Sequence, residues 1–249
     1  MKYINEEIKN CRQCRLSETR TNVLCGEGNT DSPLFLIAQA PGEKEDKTGL
    51  MFTGPSGRVL DDLLKMAGIT RKDVYMTNLV KCMLPKYRKP KPDEIETCTR
   101  YLTREIERIK PRVLVPLGYD SIKFVFGKYN SGCLLKSGIN PLFGKLQLFD
   151  QFKVYSLRHP SALLHNPLQE QEMTRNYRRL GVLLNECKWY PVCPMKTYFE
   201  QGRLERKWVE LYCKGYWKAC VRYKMEEKGE SHSDWMLPDG SLNEKLKFL

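Results

Sequence analysis

Leu34-Phe35-Leu36-Ile37-Ala38-Gln39-Ala40-Pro41-Gly42 is the stretch on which the fold turns. Five apolar residues stop at a Pro-Gly break, as a buried strand feeding a loop does. Downstream, Val59, Leu60, Leu63, Leu64 and Ala67 recur at helical spacing between Gly57 and Ala67. Val74-Tyr75-Met76-Thr77-Asn78 and Val113-Leu114-Val115-Pro116-Leu117 predict two more strands. Between them a helix is expected from Pro92 or Asp93 to about Ile109, its first turn acidic with Asp93, Glu94 and Glu96. A strand pair is expected over 145–149 and 152–157, and a helix over 169–186. Strands alternating with helices of this length imply a three-layer α/β/α sandwich with a mainly parallel central sheet.

The pattern breaks near residue 187. Cysteines, aromatics and short helical stretches replace the alternation, so units of 1–186 and 187–249 are expected, the second small and mostly helical. A segment that short is poor in core and calls for a staple. The 249 residues are 41% hydrophobic and 10% aromatic, too apolar for a disordered chain. No apolar run approaches the ~18–20 residues of a membrane helix, and the first residues hold no secretory leader. A cytoplasmic protein that stays off membranes is expected. The net charge of +12 suits a polyanion partner.

Ten cysteines are many for such a chain. In a reducing compartment, clustered thiols hold metal or do redox chemistry more often than they form disulfides. Cys11 and Cys14 form a C-x2-C pair, and Cys82 and Cys98 stand as C-x15-C across a strand–helix unit. The four thiolates suit one tetrahedral site, and their softness admits zinc or an iron–sulfur cluster. Cys25 and Cys133 read as small buried hydrophobes. A second set, Cys187-x5-Cys193-x19-Cys213-x6-Cys220, lies in the tail. A second metal centre is expected there, iron–sulfur ahead of zinc, against reduced structural cysteines in a helical hairpin. Trp189, Trp208, Trp217 and Trp235 are expected to build a compact shell rather than to stack on bases.

The C-x2-C…C-x15-C arrangement, the Pro-Gly loop, Thr77-Asn78-Leu79-Val80-Lys81-Cys82 and His159-Pro160-Ser161 occur together and in order. Over roughly residues 8–186 the chain thereby resembles the family 4, iron–sulfur uracil-DNA glycosylases of bacteria and archaea. The resemblance implies a prokaryotic source and a [4Fe–4S] cluster on Cys11, Cys14, Cys82 and Cys98 that shapes DNA-gripping loops. It also implies hydrolysis of the N-glycosidic bond of uracil, or another deaminated base, in single- or double-stranded DNA by a monomer. Such an enzyme must take the nucleotide out of the stack into a closed pocket.

The likeness assigns roles residue by residue. Ala40 and Gly42 belong to the loop whose backbone approaches the base, and Phe52 matches the aromatic that stacks on it. Asn78, at a strand end where open α/β sheets bind ligands, suits the pyrimidine edge with donor and acceptor. His159 would stabilise charge on the departing base. Ser161, Leu163 and Leu164 resemble the loop that wedges into the duplex. Lys86, Arg88, Lys89 and Lys91, with Tyr87 among them, are candidates for tracking phosphates. No histidine lies in this basic loop, so the covalent chemistry of a related branch is not expected.

One departure matters most. The loop is usually G-E-A-P-G, and Ala38 and Gln39 stand here for the glycine and the glutamate. Glutamine cannot serve as a general base, though it can orient water or hydrogen-bond a base. Glu45 matches a second acidic position, with Asp46 next to it, and His165 stands where the family commonly has arginine. Gln39 with Glu45 is expected to arrange the water. The substitution keeps open a non-catalytic or weakly catalytic iron–sulfur protein that binds damaged DNA, and the tail could serve as a redox or partner-sensing module.

Overall fold

A computed structural model describes residues 1–129 and 138–247, so Cys133 lies outside the described residues. The sheet has six strands: β1 (Glu27–Gly28), β2 (Leu34–Ala38), β3 (Tyr75–Asn78), β4 (Val113–Pro116), β5 (Leu146–Leu148) and β6 (Lys153–Tyr155). Their order across the sheet is β1-β3-β2-β4-β6-β5. The inner four are parallel, and β1 and β5 pair antiparallel at the edges. β2 lies at the centre with every residue buried. Phe35 and Ile37 join the core on one face, while Leu34, Leu36 and Ala38 join the core on the other. A strand covered on both sides reads as an unbroken apolar run, as seen in the sequence.

The helices covering it are α1 (Lys2–Lys9), α2 (Leu16–Thr19), α3 (Glu43–Thr48), α4 (Pro55–Met66), α5 (Pro92–Ile109), α6 (Tyr119–Tyr129), α7 (Ser161–His165) and α8 (Glu170–Leu183). α5 begins with Pro92 at its first turn and the side chain of Glu94 accepting from the Lys91 amide, which matches the expected acidic start. The segment expected as a wedge loop, 161–164, is instead the short helix α7, closed at its end by His165.

The tail forms α9 (Pro194–Glu200), α10 (Arg206–Trp208), which runs into a π-turn over Val209–Cys213, and α11 (Val221–Lys228). It has a core of its own around Tyr190, Met195, Tyr198, Leu204 and Val209, with Trp208 and Trp235 packed against it. It is also docked on the sheet. Buried Lys153 of β6 pairs with Glu210 at 2.8 Å and donates to the Lys214 carbonyl at 2.8 Å. Tyr216 meets Tyr155 edge-on at 5.6 Å, and Trp217 donates to the Val182 carbonyl at 3.1 Å. No helix among the described residues is long and apolar enough to cross a membrane.

Candidate active site

All four parallel strands end at one cavity of about 630 Å³. Its wall takes Gln39 and Gly42 after β2, Asn78 at the end of β3, Gly118 after β4 and His159 beyond β6. This is where an open α/β sheet exposes strand ends to a ligand. The sequence-predicted residues Gln39, Ala40, Glu45, Phe52 and Ser161 line the same space.

Phe52 sits in a strained turn, with φ +52° in a residue that is not glycine. Arg71 holds it there, donating to the carbonyls of Met51 at 3.0 Å and Phe52 at 2.8 Å. Gly57 permits the close pass, since a Cβ there would lie 1.7 Å from the Phe52 carbonyl oxygen. The phenyl ring comes within 5.9 Å of the His159 imidazole, the planes 24° from parallel. That is the separation of one aromatic pair, so a flat ligand has room beside the imidazole but not between the two rings.

Asn78 is buried, and its amide nitrogen donates to the Met51 sulfur at 3.1 Å. Thioether sulfur is a weak acceptor, which a ligand carbonyl can replace. At His159 the Ser161 backbone amide donates to Nδ1 at 3.2 Å, and Ser161 Oγ lies 2.8 Å from the same nitrogen. An amide can only donate to an unprotonated nitrogen, so the neutral ring carries its proton on Nε2. Burial lowers the His159 pKa to about 4.

Glu45 is only 7% exposed and holds two loops together. Oε1 accepts the Gly54 amide at 2.7 Å, and a Cβ on Gly42 would stand 2.7 Å from Oε2. The neighbouring Asp46 accepts from the Thr21 amide at 2.9 Å and from the Asn22 amide at 3.3 Å, tying the N-terminal segment to α3.

In the basic segment, Lys86, Lys89 and Lys91 are exposed. Arg88 differs, because its guanidinium grips buried Glu94 with both nitrogens, at 2.6 and 2.8 Å. Tyr87, 73% exposed, stands at the cavity mouth. Leu164 is exposed on α7 while Leu163 is half-buried against the core. Arg71, Met51 and Arg158, which also lines the cavity, were not singled out from sequence. Arg71 acts through carbonyl oxygens, which every residue has.

Cys11, Cys14, Cys82 and Cys98 surround a second, small cavity with apolar Ile8, Leu16, Val23 and Val80. The Lys81 amide donates to Cys98 Sγ at 3.2 Å, and Arg20 donates to Cys82 Sγ at 3.0 Å and the Cys11 carbonyl at 2.6 Å. Donors aimed at sulfur and a cation beside four thiols fit an anionic thiolate-bound group. Cys25 is half-buried, its thiol donating to the Asn5 carbonyl at 3.6 Å, apart from this set.

A doubly covered parallel sheet with an aromatic, an amide and an imidazole at its strand ends defines a protein that receives a planar polar ring. The profile of the Uracil DNA glycosylase superfamily matches residues 25–181, and the chain belongs to that superfamily. It is 36% identical over 184 residues to a type-4 uracil-DNA glycosylase of Archaeoglobus fulgidus, covering 72% of this chain and 91% of that one. It is 42% identical over 172 residues to a type-4 uracil-DNA glycosylase of Thermotoga maritima, covering 68% of this chain and 86% of that one. The superfamily profile ends before the tail.

Proposed function

We infer that the protein is a uracil-DNA glycosylase, hydrolysing the N-glycosidic bond of uracil in DNA. The observation that carries this reading is the meeting of Phe52, His159 and Asn78 in one cavity at the strand ends. An extruded uracil lies against the Phe52 ring and presents its edge to Asn78, whose amide gives both donor and acceptor. As the glycosidic bond breaks, negative charge grows on the base. The neutral His159 Nε2–H donates to it. Gln39 orients the attacking water by hydrogen bonding and cannot take its proton, while Glu45 fixes the loops on either side.

A [4Fe–4S] cluster fits the thiol set of Cys11, Cys14, Cys82 and Cys98. When bound, it braces the N-terminal segment against the β3 exit and α5, with no part in bond cleavage. Residues 1–186 carry this chemistry, and 187–249 form an added module. DNA is the partner, met through Lys86, Lys89, Lys91 and the exposed Leu164. The protein works as a monomer in the prokaryotic cytoplasm.

The test is incubation of purified protein with oligonucleotides carrying uracil, hypoxanthine or xanthine, followed by alkaline cleavage of abasic sites. Cleavage at uracil is expected. Gln39, in place of an acid, favours one other reading, a damage binder, and binding without cleavage of any of the three substrates would establish that instead.

A further inference from the structure

The tail brings Cys187, Cys193, Cys213 and Cys220 to the wall of one cavity of about 110 Å³. The geometry points to a second iron–sulfur cluster held there by these four thiolates. The nine described cysteines are all free thiols, so no disulfide consumes them. Their positions are set by backbone structure. Cys193 and Cys220 immediately precede α9 and α11, Cys213 ends the π-turn, and the Cys187 amide donates to the Cys213 carbonyl at 2.8 Å. The Tyr190 amide donates to the Cys187 carbonyl at 3.0 Å and the Lys224 amide to the Cys220 carbonyl at 3.2 Å, which fixes both cysteines at turn starts.

Charge supplies a second, independent argument. Arg222 is only 3% exposed and lines the cavity. It donates to the carbonyls of Ser233, Asp234 and Met236 at 2.7, 3.1 and 3.0 Å. Glu226 and Asp234 are the acidic residues that line the same cavity, and the Arg222 Nε has no hydrogen-bond partner. The Nδ1 of His232, on the same wall, also lacks one. A buried cation is stabilised by anionic neighbours, and a cage of four thiolates adds negative charge on its side of the cavity. At the first thiol set the cation is closer, Arg20 donating directly to Cys82 Sγ at 3.0 Å.

The choice between a cluster and zinc rests on the likeness of this cavity to that of the first thiol set. Zinc draws four sulfurs to ~2.3 Å from one point. The tail thiols ring a cavity as the first set does, and a cluster presents its irons at separate corners to separate thiolates.

The test uses the full chain purified without oxygen, counting iron, acid-labile sulfide and zinc per protein and measuring intact mass under native conditions. With a four-iron cluster in the first set, the proposal expects roughly six to eight iron with matching sulfide. Four iron, with or without one zinc, overturns it. A Cys213→Ser, Cys220→Ser double variant should lose the additional iron and keep the rest; unchanged iron overturns the assignment. If that variant does not fold, alkylation of the native wild-type protein decides. The four tail thiols should resist labelling until a chelator strips the iron, and labelling in the iron-loaded protein counts against a cluster. None of these readouts depends on whether uracil is excised, so this proposal and the glycosylase reading can fail separately.

Discussion

The Ser161 amide does more at His159 than hold a ring in place. By donating to Nδ1 it leaves Nε2 as the protonated nitrogen, and burial keeps the ring neutral down to about pH 4. In the proposed mechanism neutral imidazole is the working form, so the lowered pKa extends activity toward acid. The single-turnover excision rate should stay level with respect to this group from pH 8 to 5 and fall as pH drops through about 4. A fall between pH 7 and 6 would mean that the ring titrates normally. His159→Ala should lower the rate by roughly 10²–10³, the cost of one preorganised donor. Gln39 invites the opposite experiment. Its side chain reaches the cavity with the right length but no basic group. Gln39→Glu restores a carboxylate beside the water and should raise uracil excision by roughly 10–100-fold. An unchanged rate would show that this position only shapes the pocket.

Between residue and fold stand the loops that aim these side chains, and here the limits of sequence reading are physical. Strands β2, β3 and β4 were legible because strands covered on both faces must be apolar throughout. β1 was not, since two residues joined by backbone pairing carry no pattern. Glu45 could be seen as an acid near the site but not as a buckle, because its partners are amides. Arg88 looked like a phosphate ligand until Glu94, one helical turn into α5, took both its nitrogens. The Phe52 turn depends on Gly57 in the same hidden way. Gly57→Ala drives a methyl to 1.7 Å from the Phe52 carbonyl, so the turn has to move. Displacing a stacking ring by about 1 Å costs ~10²-fold in kcat/KM, and steady-state kinetics on a uracil oligonucleotide would show it. Behind β3, Lys81 pairs with Glu105 at 2.6 Å, both almost wholly buried, with Thr77 bonded to both. Glu105→Gln leaves the ammonium without its counter-charge. A loss of about 3–5 kcal/mol in denaturant unfolding is expected. A loss below 1 kcal/mol would mean that water reaches the pair.

At the scale of the whole molecule, two cores face the sheet and a third fills the tail, joined through Lys153–Glu210 and Tyr155–Tyr216. The sequence signalled a change near residue 187 through lost alternation, but docking was invisible because Lys153 sits in a strand as an apparent surface lysine. The net charge of +12 is equally ambiguous until partners are assigned. Arg15, Arg71, Arg88, Arg104 and Arg112 all carry carboxylate partners, which removes them from simple service to phosphate. Lys86, Lys89 and Lys91 are exposed, and Lys89 lines the cavity. Binding to DNA should therefore weaken with salt, each phosphate neutralised adding about 0.9 to the slope of log affinity against log salt. Replacing the three lysines by glutamine should flatten that slope by about 2–3. Phosphates carry no base identity, so affinity for uracil-containing and undamaged duplexes should fall by the same factor. Fluorescence anisotropy across a salt series measures both. A slope unchanged by the triple substitution would move the DNA path to another face of the protein, while a loss confined to uracil-containing DNA would make these lysines part of the base pocket.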